Sequence, residues 1–224
     1  MTAHRTQESL VTFYTEALAA GDNTAENLQA PITPEFAHMI TTAPLTGAAR
    51  TAVDIGYGAG AYSIALAQHG FQVDAVDRVP ARLLTQRLPP ADWADRIHTV
   101  TSRIEHYPIP APLGVLVAKD VLHYLAPDDV CAVLDAGVRA SVPGSCHYLH
   151  VFTDIRRTGH SGNSIRIEGE LGWSTEEFTS ACTQLYRGWS LLATAGAHTE
   201  RDRRTGRPYF EATRNTLIAR RPQQ

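Results

Sequence analysis

The chain has 224 residues, of which 43% are hydrophobic, so it can bury one sizeable core but is short for two, and we expect a single domain over 1–224. Its formal net charge of −3 disfavours a nucleic-acid-binding protein, which is typically basic. Three widely spaced cysteines, no apolar run of transmembrane length and no signal-peptide pattern predict a cytoplasmic protein without a disulfide framework or a membrane span.

The first predicted element is an amphipathic helix near the N-terminus. Apolar side chains recur there at helical spacing, at Leu10, Phe13, Tyr14, Ala17 and Leu18. A segment rich in Asn, Thr and Pro separates this helix from the first strand, so residues 1–50 are predicted to form a helical cap region. Tyr14 is a candidate for closing a pocket, whereas Phe13 fits a core stripe better.

From Thr51 onward, short apolar runs alternate with helical patterns, which is typical of a parallel sheet covered by helices. The predicted strands are TAVDI, FQVDAV, RIHTV, PLGVLVA and CHYLHVF. Pro80 and Pro127 are predicted to begin helices, and Ser174 with Glu177 forms a capping box before another. SLLATAGAH and PYFEATRNTLIAR predict an antiparallel pair. Together these patterns predict a doubly wound, mostly parallel α/β sheet that ends in an antiparallel strand.

The stretch AVDIGYGAG joins the first of these strands to a helix through Gly56, Gly58 and Gly60. Bare backbone would then face the crevice at the carboxyl end of the sheet, where α/β proteins bind ligands. With Asp77 about twenty residues further on, the spacing also fits the dinucleotide pattern GxGxxG/A, so a nicotinamide-dependent oxidoreductase is one interpretation. Asp54 disfavours it, because a carboxylate there would repel a pyrophosphate. An acid suits a cationic ligand without phosphate, such as S-adenosylmethionine, with Asp77 accepting hydrogen bonds from ribose hydroxyls.

Three segments resemble the class I S-adenosylmethionine-dependent methyltransferases. VDIGYGAG is similar to the first motif of that family, DxGxGxG, VDAVDRVPARLL is similar to the second, and LVAKDVLHYLAP is similar to the motif at the fourth strand. The C-terminal segments GELGWSTEEFTSACTQLYRGWSLL and TGRPYFEATRNTLIAR resemble more closely the branch with the tellurite-resistance-type methyltransferases. The resemblance implies a Rossmann-like fold with a seven-stranded sheet and S-adenosylmethionine as cofactor. The modest length favours a small-molecule substrate.

The resemblance also implies a set of cofactor-binding residues. They are Asp54, Gly56, Tyr57, Gly58, Gly60, Asp77, Arg78, Ile104, Glu105, Lys119 and Val121. Within this set, the residues from Asp54 to Gly60 would surround the methionyl part, and Arg78 would lie beside the adenine. Lys119 and Val121 would line the wall near the sulfonium. Arg103 stands where an aspartate often holds the adenine amino group in the family.

The candidate catalytic residues are His123 and Tyr124, which follow the central strand and could orient a nucleophile or accept its proton. A packing position beneath the cofactor is an equal alternative for His123. Residues 153–172 are predicted to form a substrate-side loop after the fifth strand. The candidate substrate-binding residues are Asp154, Arg156, Arg157 and Arg166 on this loop, together with Tyr14. His147 and His150 are predicted to point to opposite faces of a strand, so no metal site is expected.

Several activities remain open for such a chain. Methyl transfer is a direct displacement at the sulfonium methyl that needs alignment more than a strong base, so the motifs do not identify the acceptor. In a cyclase, the cofactor's own amine would attack its γ carbon and release methylthioadenosine and a cyclic amino acid, and Asp54 fits this chemistry as well. A protein that binds the cofactor without consuming it is the third alternative. Both a monomer and a homodimer are compatible with the sequence.

Overall fold

The computed structural model describes residues 3–21, 32–42, 49–159, 161–170, 172–202 and 204–223. The helices are α1 Gln7–Ala20, α2 Pro34–Thr42, α3 Ala61–Gln68, α4 Arg82–Thr85, α5 Pro127–Ala140 and α6 Thr175–Leu185. The strands are β1 Ala3–Arg5, β2 Thr51–Ile55, β3 Gln72–Asp77, β4 Ile97–Thr101, β5 Leu113–Lys119, β6 Ser141–Thr158, β7 Ser164–Ile167, β8 Ser190–Arg201 and β9 Pro208–Arg220. None of the helices in these ranges is long and apolar enough to cross a membrane.

The strands form one twisted sheet with the order β4–β3–β2–β5–β6–β9–β8. The first five of these strands run parallel, β9 runs antiparallel to β6, and β8 runs antiparallel to β9. This confirms the predicted doubly wound sheet with an antiparallel C-terminal strand. The described part of the sheet has nine strands rather than seven, because β7 pairs with the far end of β6 and β1 pairs with β7. Strands of three and four residues leave almost no periodic signal in a sequence.

The core lies on both faces of this sheet, because successive residues of a strand point to opposite sides. On β2, Ala52 packs on the face covered by α2 and α3, where Phe36 and Leu66 are fully buried. Val53 packs on the other face against residues of α5 and α6. Asp54 is the next residue on the Ala52 side, so a carboxylate is carried to the end of an otherwise apolar strand.

Helix α5 begins at Pro127 as predicted, whereas the helix predicted to begin at Pro80 is short and spans only Arg82–Thr85. Helix α5 ends at Ala140, and the Pro-Gly-Ser segment after it belongs to β6. Gly144 lies there at a φ of 85° and donates its backbone N–H to the Arg221 carbonyl at 3.1 Å. The segment therefore forms an irregular start of a strand, opposite a register shift in β5.

Much of the described part of 153–172 forms strands rather than the loop that its polar sequence predicts, namely the end of β6 and all of β7. β6 continues to Thr158, and its backbone pairs with β9 through Thr153 and Arg157, which face Thr213 and Phe210. The ladder is interrupted by a register shift between Thr153 and Arg156, where Asp154 has a φ of 52°. Backbone hydrogen bonds satisfied by a neighbouring strand thus override the low strand propensity of these side chains.

In the N-terminal region, the first predicted helix is confirmed as α1, and Thr6 caps it by accepting a hydrogen bond from the Ser9 backbone N–H. Helix α2 was not predicted. Residues 1–2, 22–31 and 43–48 of the predicted 1–50 cap region lie outside the described residues.

Candidate functional site

A cavity of about 1150 Å³ opens at the carboxyl ends of β2, β3 and β5 and is covered by α1. All eleven residues predicted to bind the cofactor line it, from Asp54 to Val121. The predicted residues His123, Tyr124, Tyr14 and Arg157 line it as well, so the fold brings most of the predicted site together. Asp154, Arg156 and Arg166 do not line this cavity.

The turn after β2 requires glycine for two different reasons. Gly56, Gly58 and Gly60 all have a positive φ, of 72°, 52° and 87°. A Cβ on Gly56 would lie 2.5 Å from the Val121 side chain, and one on Gly60 would lie 2.4 Å from Leu84 Cδ1. A Cβ on Gly58 would meet nothing closer than 3.9 Å. Two of the glycines are therefore fixed by packing, and Gly58 leaves open backbone toward the cavity.

Two buried carboxyl groups flank this turn. Asp54 is 2% exposed, and the Ser63 hydroxyl donates to its Oδ2 at 2.6 Å. Burial raises the pKa of Asp54 to about 7, although the bond from Ser63 opposes the shift. Asp77 accepts the backbone N–H groups of Gly58 at 3.1 Å and Val79 at 3.2 Å. Burial also raises the pKa of Asp77. Because burial disfavours the charged form of both groups, a ligand that supplies positive charge or hydroxyl donors would stabilise their ionised forms.

Three buried polar atoms have no hydrogen-bond partner among the described residues, and all three belong to the cavity wall. They are Tyr57 Oη, Glu105 Oε2 and His123 Nδ1. Arg103 Nε donates to the other Glu105 oxygen at 2.6 Å, so this arginine fixes the glutamate. A buried polar atom without a partner costs about 1–3 kcal/mol. Such atoms gathered at one cavity are typical of groups that a ligand satisfies.

A histidine–carboxylate pair that was not predicted from the sequence also lines the cavity. Asp120 follows β5 with a φ of 55°, and its Oδ1 lies 2.5 Å from His150 Nδ1. Lys119 Nζ donates to the other Asp120 oxygen at 2.6 Å. Burial favours the neutral acid, but the hydrogen bond and charge of His150, with Lys119, outweigh it and lower the pKa of Asp120. Lys119 pairs with His150 on the neighbouring strand, so Asp120, the next residue, lies close to that histidine. An acid and a histidine near the ends of two predicted neighbouring strands were therefore the available sequence signal for this pair.

The outer half of the cavity is walled by aromatic rings. We call this part the aromatic chamber, and its members are Tyr14, Tyr124, Phe152, His198, Phe210 and the guanidinium of Arg157. The Tyr14 and Tyr124 hydroxyls are 2.6 Å apart, and burial raises the pKa of both phenols. The Phe152 ring centroid lies 5.1 Å from that of Phe210.

Arg157 is the cation of this chamber. Its guanidinium lies 4.9 Å from the Phe210 ring centroid, and it forms an ion pair with Glu170. Phe152, His198 and Phe210 were not predicted, because they come from three segments that only the folded sheet brings together.

The described part of α1 is tied to the rest of the site through Gln7. Its Nε2 donates to the Tyr124 carbonyl at 2.9 Å and to the Glu168 carbonyl at 2.5 Å. Its Oε1 accepts a hydrogen bond from Arg78 Nη1 at 3.0 Å. One amide side chain thus links the covering helix to three other parts of the cavity wall.

The predicted substrate residues outside the cavity have other positions. The Asp154 carboxylate accepts from the Thr175 backbone N–H at 3.2 Å and from its hydroxyl at 2.8 Å, so it caps α6. The Thr175 hydroxyl is the main cause of the lowered pKa of Asp154. Arg156 and Arg166 are exposed. Neighbouring side chains on a strand point to opposite faces, so Arg157 faces the cavity and Arg156 does not.

The two histidines of β6 separate as predicted. His147 is fully buried on the opposite face, where it contacts the Ser141 and Tyr186 hydroxyls at 2.9 Å. The described residues hold no group of three or more His, Cys, Asp or Glu side chains arranged to bind a metal ion.

The chain is similar to known methyltransferases in sequence pattern and in fold. The protein-family model described as a methyltransferase domain matches residues 53–149. No curated protein matches the sequence at a significant level.

Among solved structures, the Burkholderia thailandensis 1,6-didemethyltoxoflavin-N1-methyltransferase, with bound 1,6-didemethyltoxoflavin and S-adenosylhomocysteine, is 16% identical, with a TM-score of 0.59 over 96% of this chain and 88% of that one. TehB from Haemophilus influenzae is 15% identical, with a TM-score of 0.57 over 83% of this chain and 62% of that one. The [4+2]-cyclase SpnF is 12% identical, with a TM-score of 0.61 over 99% and 98%. At these identities the structural matches establish the fold.

Proposed function

We propose that this chain, whose residues 53–149 match the model of a methyltransferase domain, is an enzyme that transfers the methyl group of S-adenosylmethionine to a small planar molecule. The observation that carries this proposal is a single cavity with two chemically different halves. One half has a glycine turn between two buried carboxyl groups, and the other half is the aromatic chamber.

The inner half fits S-adenosylmethionine residue by residue. The carboxyl group of Asp54 suits the α-ammonium group, and Asp77 suits two ribose hydroxyls, because ionised carboxylates are pure acceptors. The unpartnered Glu105 Oε2 suits the amino group of an adenine, and Tyr57 Oη offers a further polar contact. When bound, this cofactor supplies a methyl group on a positively charged sulfur.

The outer half fits a flat acceptor. Aromatic walls favour planar apolar ligands, and the cavity of about 1150 Å³ exceeds the range of about 300–1,000 Å³ typical of a site for one drug-sized ligand. Its volume therefore disfavours the cyclase interpretation, which needs no room for a second molecule. The B. thailandensis neighbour binds both a small molecule and S-adenosylhomocysteine, which supports room for two ligands here. The buried Asp54 beside the turn disfavours a nicotinamide dinucleotide.

The chain's own residues would mainly align the two ligands and exclude water. Rigid walls that hold reacting atoms in line can supply much of the rate enhancement of a displacement. Gln7 and the Tyr14–Tyr124 contact keep α1 over the cavity. Burial lowers the pKa of His123 to about 3, so this residue is a neutral wall group rather than a base.

The test is an incubation of the purified protein with S-adenosylmethionine labelled on its methyl group, alone and with planar acceptors. These acceptors are 7-hydroxycoumarin, hypoxanthine, 6-aminoquinoline and 2-mercaptobenzimidazole. Label that moves to an acceptor together with S-adenosylhomocysteine supports the proposal. Methylthioadenosine formed without an acceptor would establish the cyclase instead, and binding without consumption would establish a binding protein.

Matched variants separate cofactor binding from folding in this test. Asp77→Ala should weaken cofactor binding, which calorimetry with S-adenosylhomocysteine measures, and should therefore lower turnover at low S-adenosylmethionine concentration. Asp74→Ala changes the same residue type on the same strand but at a position outside the cavity, so its affinity should match the wild type. Wild-type protein that does not bind S-adenosylhomocysteine would contradict the proposed function.

A further inference from the structure

We propose that His150, positioned by Asp120, is the base that takes the proton from the methyl acceptor, and that the acceptor's nucleophile is a hydroxyl or ring N–H group. This inference rests on the proposed function, and it deepens that function by naming the proton acceptor and the substrate class. Asp120 lies within the segment that resembles the family's fourth-strand motif, whereas His150 lies outside all the segments that carry the resemblance.

The geometry of the pair defines which ring nitrogen is free. Asp120 Oδ1 lies 2.5 Å from His150 Nδ1, so the carboxylate accepts the N–H group of that nitrogen. In a neutral imidazole the lone pair then belongs to Nε2. No hydrogen bond joins His150 Nε2 to any of the described residues, and His150 lines the cavity while only 6% exposed. A lone pair without a partner at a cavity wall is the arrangement that a proton acceptor needs.

The backbone and a neighbouring lysine hold Asp120 in place. Its φ of 55° lies in the left-handed region, which residues other than glycine rarely adopt. Lys119 holds the second carboxylate oxygen at 2.6 Å, so Asp120 keeps its charge whether or not His150 is protonated. Asp120 is therefore a positioning residue, which fixes the ring and stabilises an imidazolium.

The other titratable and charged groups around His150 do not compete for this role. They are Lys119 and Asp120 after β5, His123 and Tyr124 in the following turn, Tyr14 on α1, Arg157 on β6 and His198 on β8. Lys119 is paired with Asp120, and Arg157 is paired with Glu170. Burial keeps His123 neutral and raises the pKa of Tyr14 and Tyr124. His198 Nε2 lies 3.2 Å from Glu200 Oε1, and its ring contacts the Phe152 ring.

The proposed step balances in atoms and charge. The acceptor oxygen or nitrogen forms a bond to the methyl carbon, and the carbon–sulfur bond breaks with its electron pair going to sulfur. The proton of the acceptor moves to His150 Nε2. The positive charge lost from sulfur thus reappears on the imidazolium beside Asp120, and the proton later leaves to solvent. An acceptor that already lacks a proton at its nucleophile would not need this step.

The first test reads the tautomer without turnover. Nitrogen-15 NMR of the histidine-labelled protein with S-adenosylhomocysteine should show that the neutral form of His150 carries its proton on Nδ1. Asp120→Asn should weaken that preference. The matched control is Asp74→Asn, because His98 Nδ1 contacts Asp74 Oδ1 at 3.0 Å on the surface, outside the cavity, and this change should leave the His150 signal unaltered. A wild-type His150 whose neutral form carries its proton on Nε2 overturns the proposal.

The second test is kinetic and uses the panel acceptor that is methylated fastest. His150→Gln should lower kcat/KM by about 10²–10⁴-fold and remove the rising limb of the pH profile. His98→Gln should change neither. S-adenosylhomocysteine affinity should stay within about twofold of the wild type, as expected for a change in proton transfer alone. Wild-type kinetics in His150→Gln with intact cofactor binding would overturn the role of His150 and leave the proposed function standing, whereas wild-type protein without cofactor binding would overturn the proposed function itself.

Discussion

Cofactor affinity should fall as the pH drops through 7, because a buried carboxyl group must first lose its proton. Burial raises the pKa of Asp54 from 3.8 to about 7. An α-ammonium group needs the ionised form, which is about a tenth of the population at pH 6 and about nine-tenths at pH 8. The dissociation constant for S-adenosylhomocysteine should therefore be about tenfold higher at pH 6 than at pH 8, a difference of about 1.4 kcal/mol.

Isothermal titration calorimetry at pH 6, 7 and 8 and constant ionic strength measures this difference. Asp54→Asn should bind more weakly at pH 8 and should lose the pH dependence. Ser63→Ala should move the midpoint upward, because the hydrogen bond from Ser63 lowers the pKa of Asp54. Burial also raises the pKa of Asp77, so Asp77→Asn serves as the control variant. This variant should keep the pH dependence of binding that Asp54→Asn loses. A change of less than about twofold in the wild type, or a tenfold change that persists in Asp54→Asn, would refute the reasoning.

The same shift sets the sign of the stability effect in the ligand-free protein. A carboxyl group whose pKa is higher in the folded state stabilises the fold fully below its unfolded pKa of 3.8, and this contribution is lost as the pH rises to about 7. A shift of about three pKa units is worth about 4 kcal/mol. Asp54→Asn cannot ionise, so urea denaturation should show its advantage in the free energy of unfolding over the wild type growing from pH 5 to pH 8.

Five further substitutions test the site and the residues that support it. Asp77→Ala should cost about 1.5–3 kcal/mol of S-adenosylhomocysteine binding, which calorimetry would record as a tenfold to hundredfold weaker affinity. Gly58→Ala should destabilise the protein by about 1–2 kcal/mol through its φ alone, whereas Gly56→Ala adds a side-chain overlap and should cost more in urea denaturation. Gln7→Ala should reduce the hydrogen-exchange protection of α1, because three hydrogen bonds of about 0.5–1.5 kcal/mol each are lost. Ser174→Ala removes one side of a capping box and should lower the free energy of unfolding by about 1 kcal/mol, with little effect on ligand affinity.

The central fold could be predicted because its signals are local. The apolar run from Leu113 to Lys119 and the glycine turn beginning at Gly56 each specify a strand or a turn within a few residues. The short β1 and β7 could not be predicted, since three or four residues carry no period and their backbone partners lie far away in sequence. The same reason explains why the loop prediction is wrong up to Thr158, where pairing of β6 with β9 decides the conformation.

The candidate site divides in the same way. The cofactor half depends on contiguous motifs, so residues such as Asp54 and Asp77 could be selected from the sequence. The outer half depends on packing between distant segments, so the contact between Asp120 and His150 could not be selected. The bulge at Asp154 also shifts the register of β6, which decides that the arginine facing the cavity is Arg157.

Much of the aromatic chamber is formed by side chains on long strands rather than on the loops that connect them. On β6, Phe152 reaches it from a backbone that is hydrogen-bonded to β9, and His198 and Phe210 reach it from the paired β8 and β9. A new acceptor shape is therefore accessible by exchanging side chains at alternate positions on a fixed frame, while an insertion would break the ladder. Substitutions in the aromatic chamber should therefore change acceptor specificity and leave the cofactor-binding half unchanged.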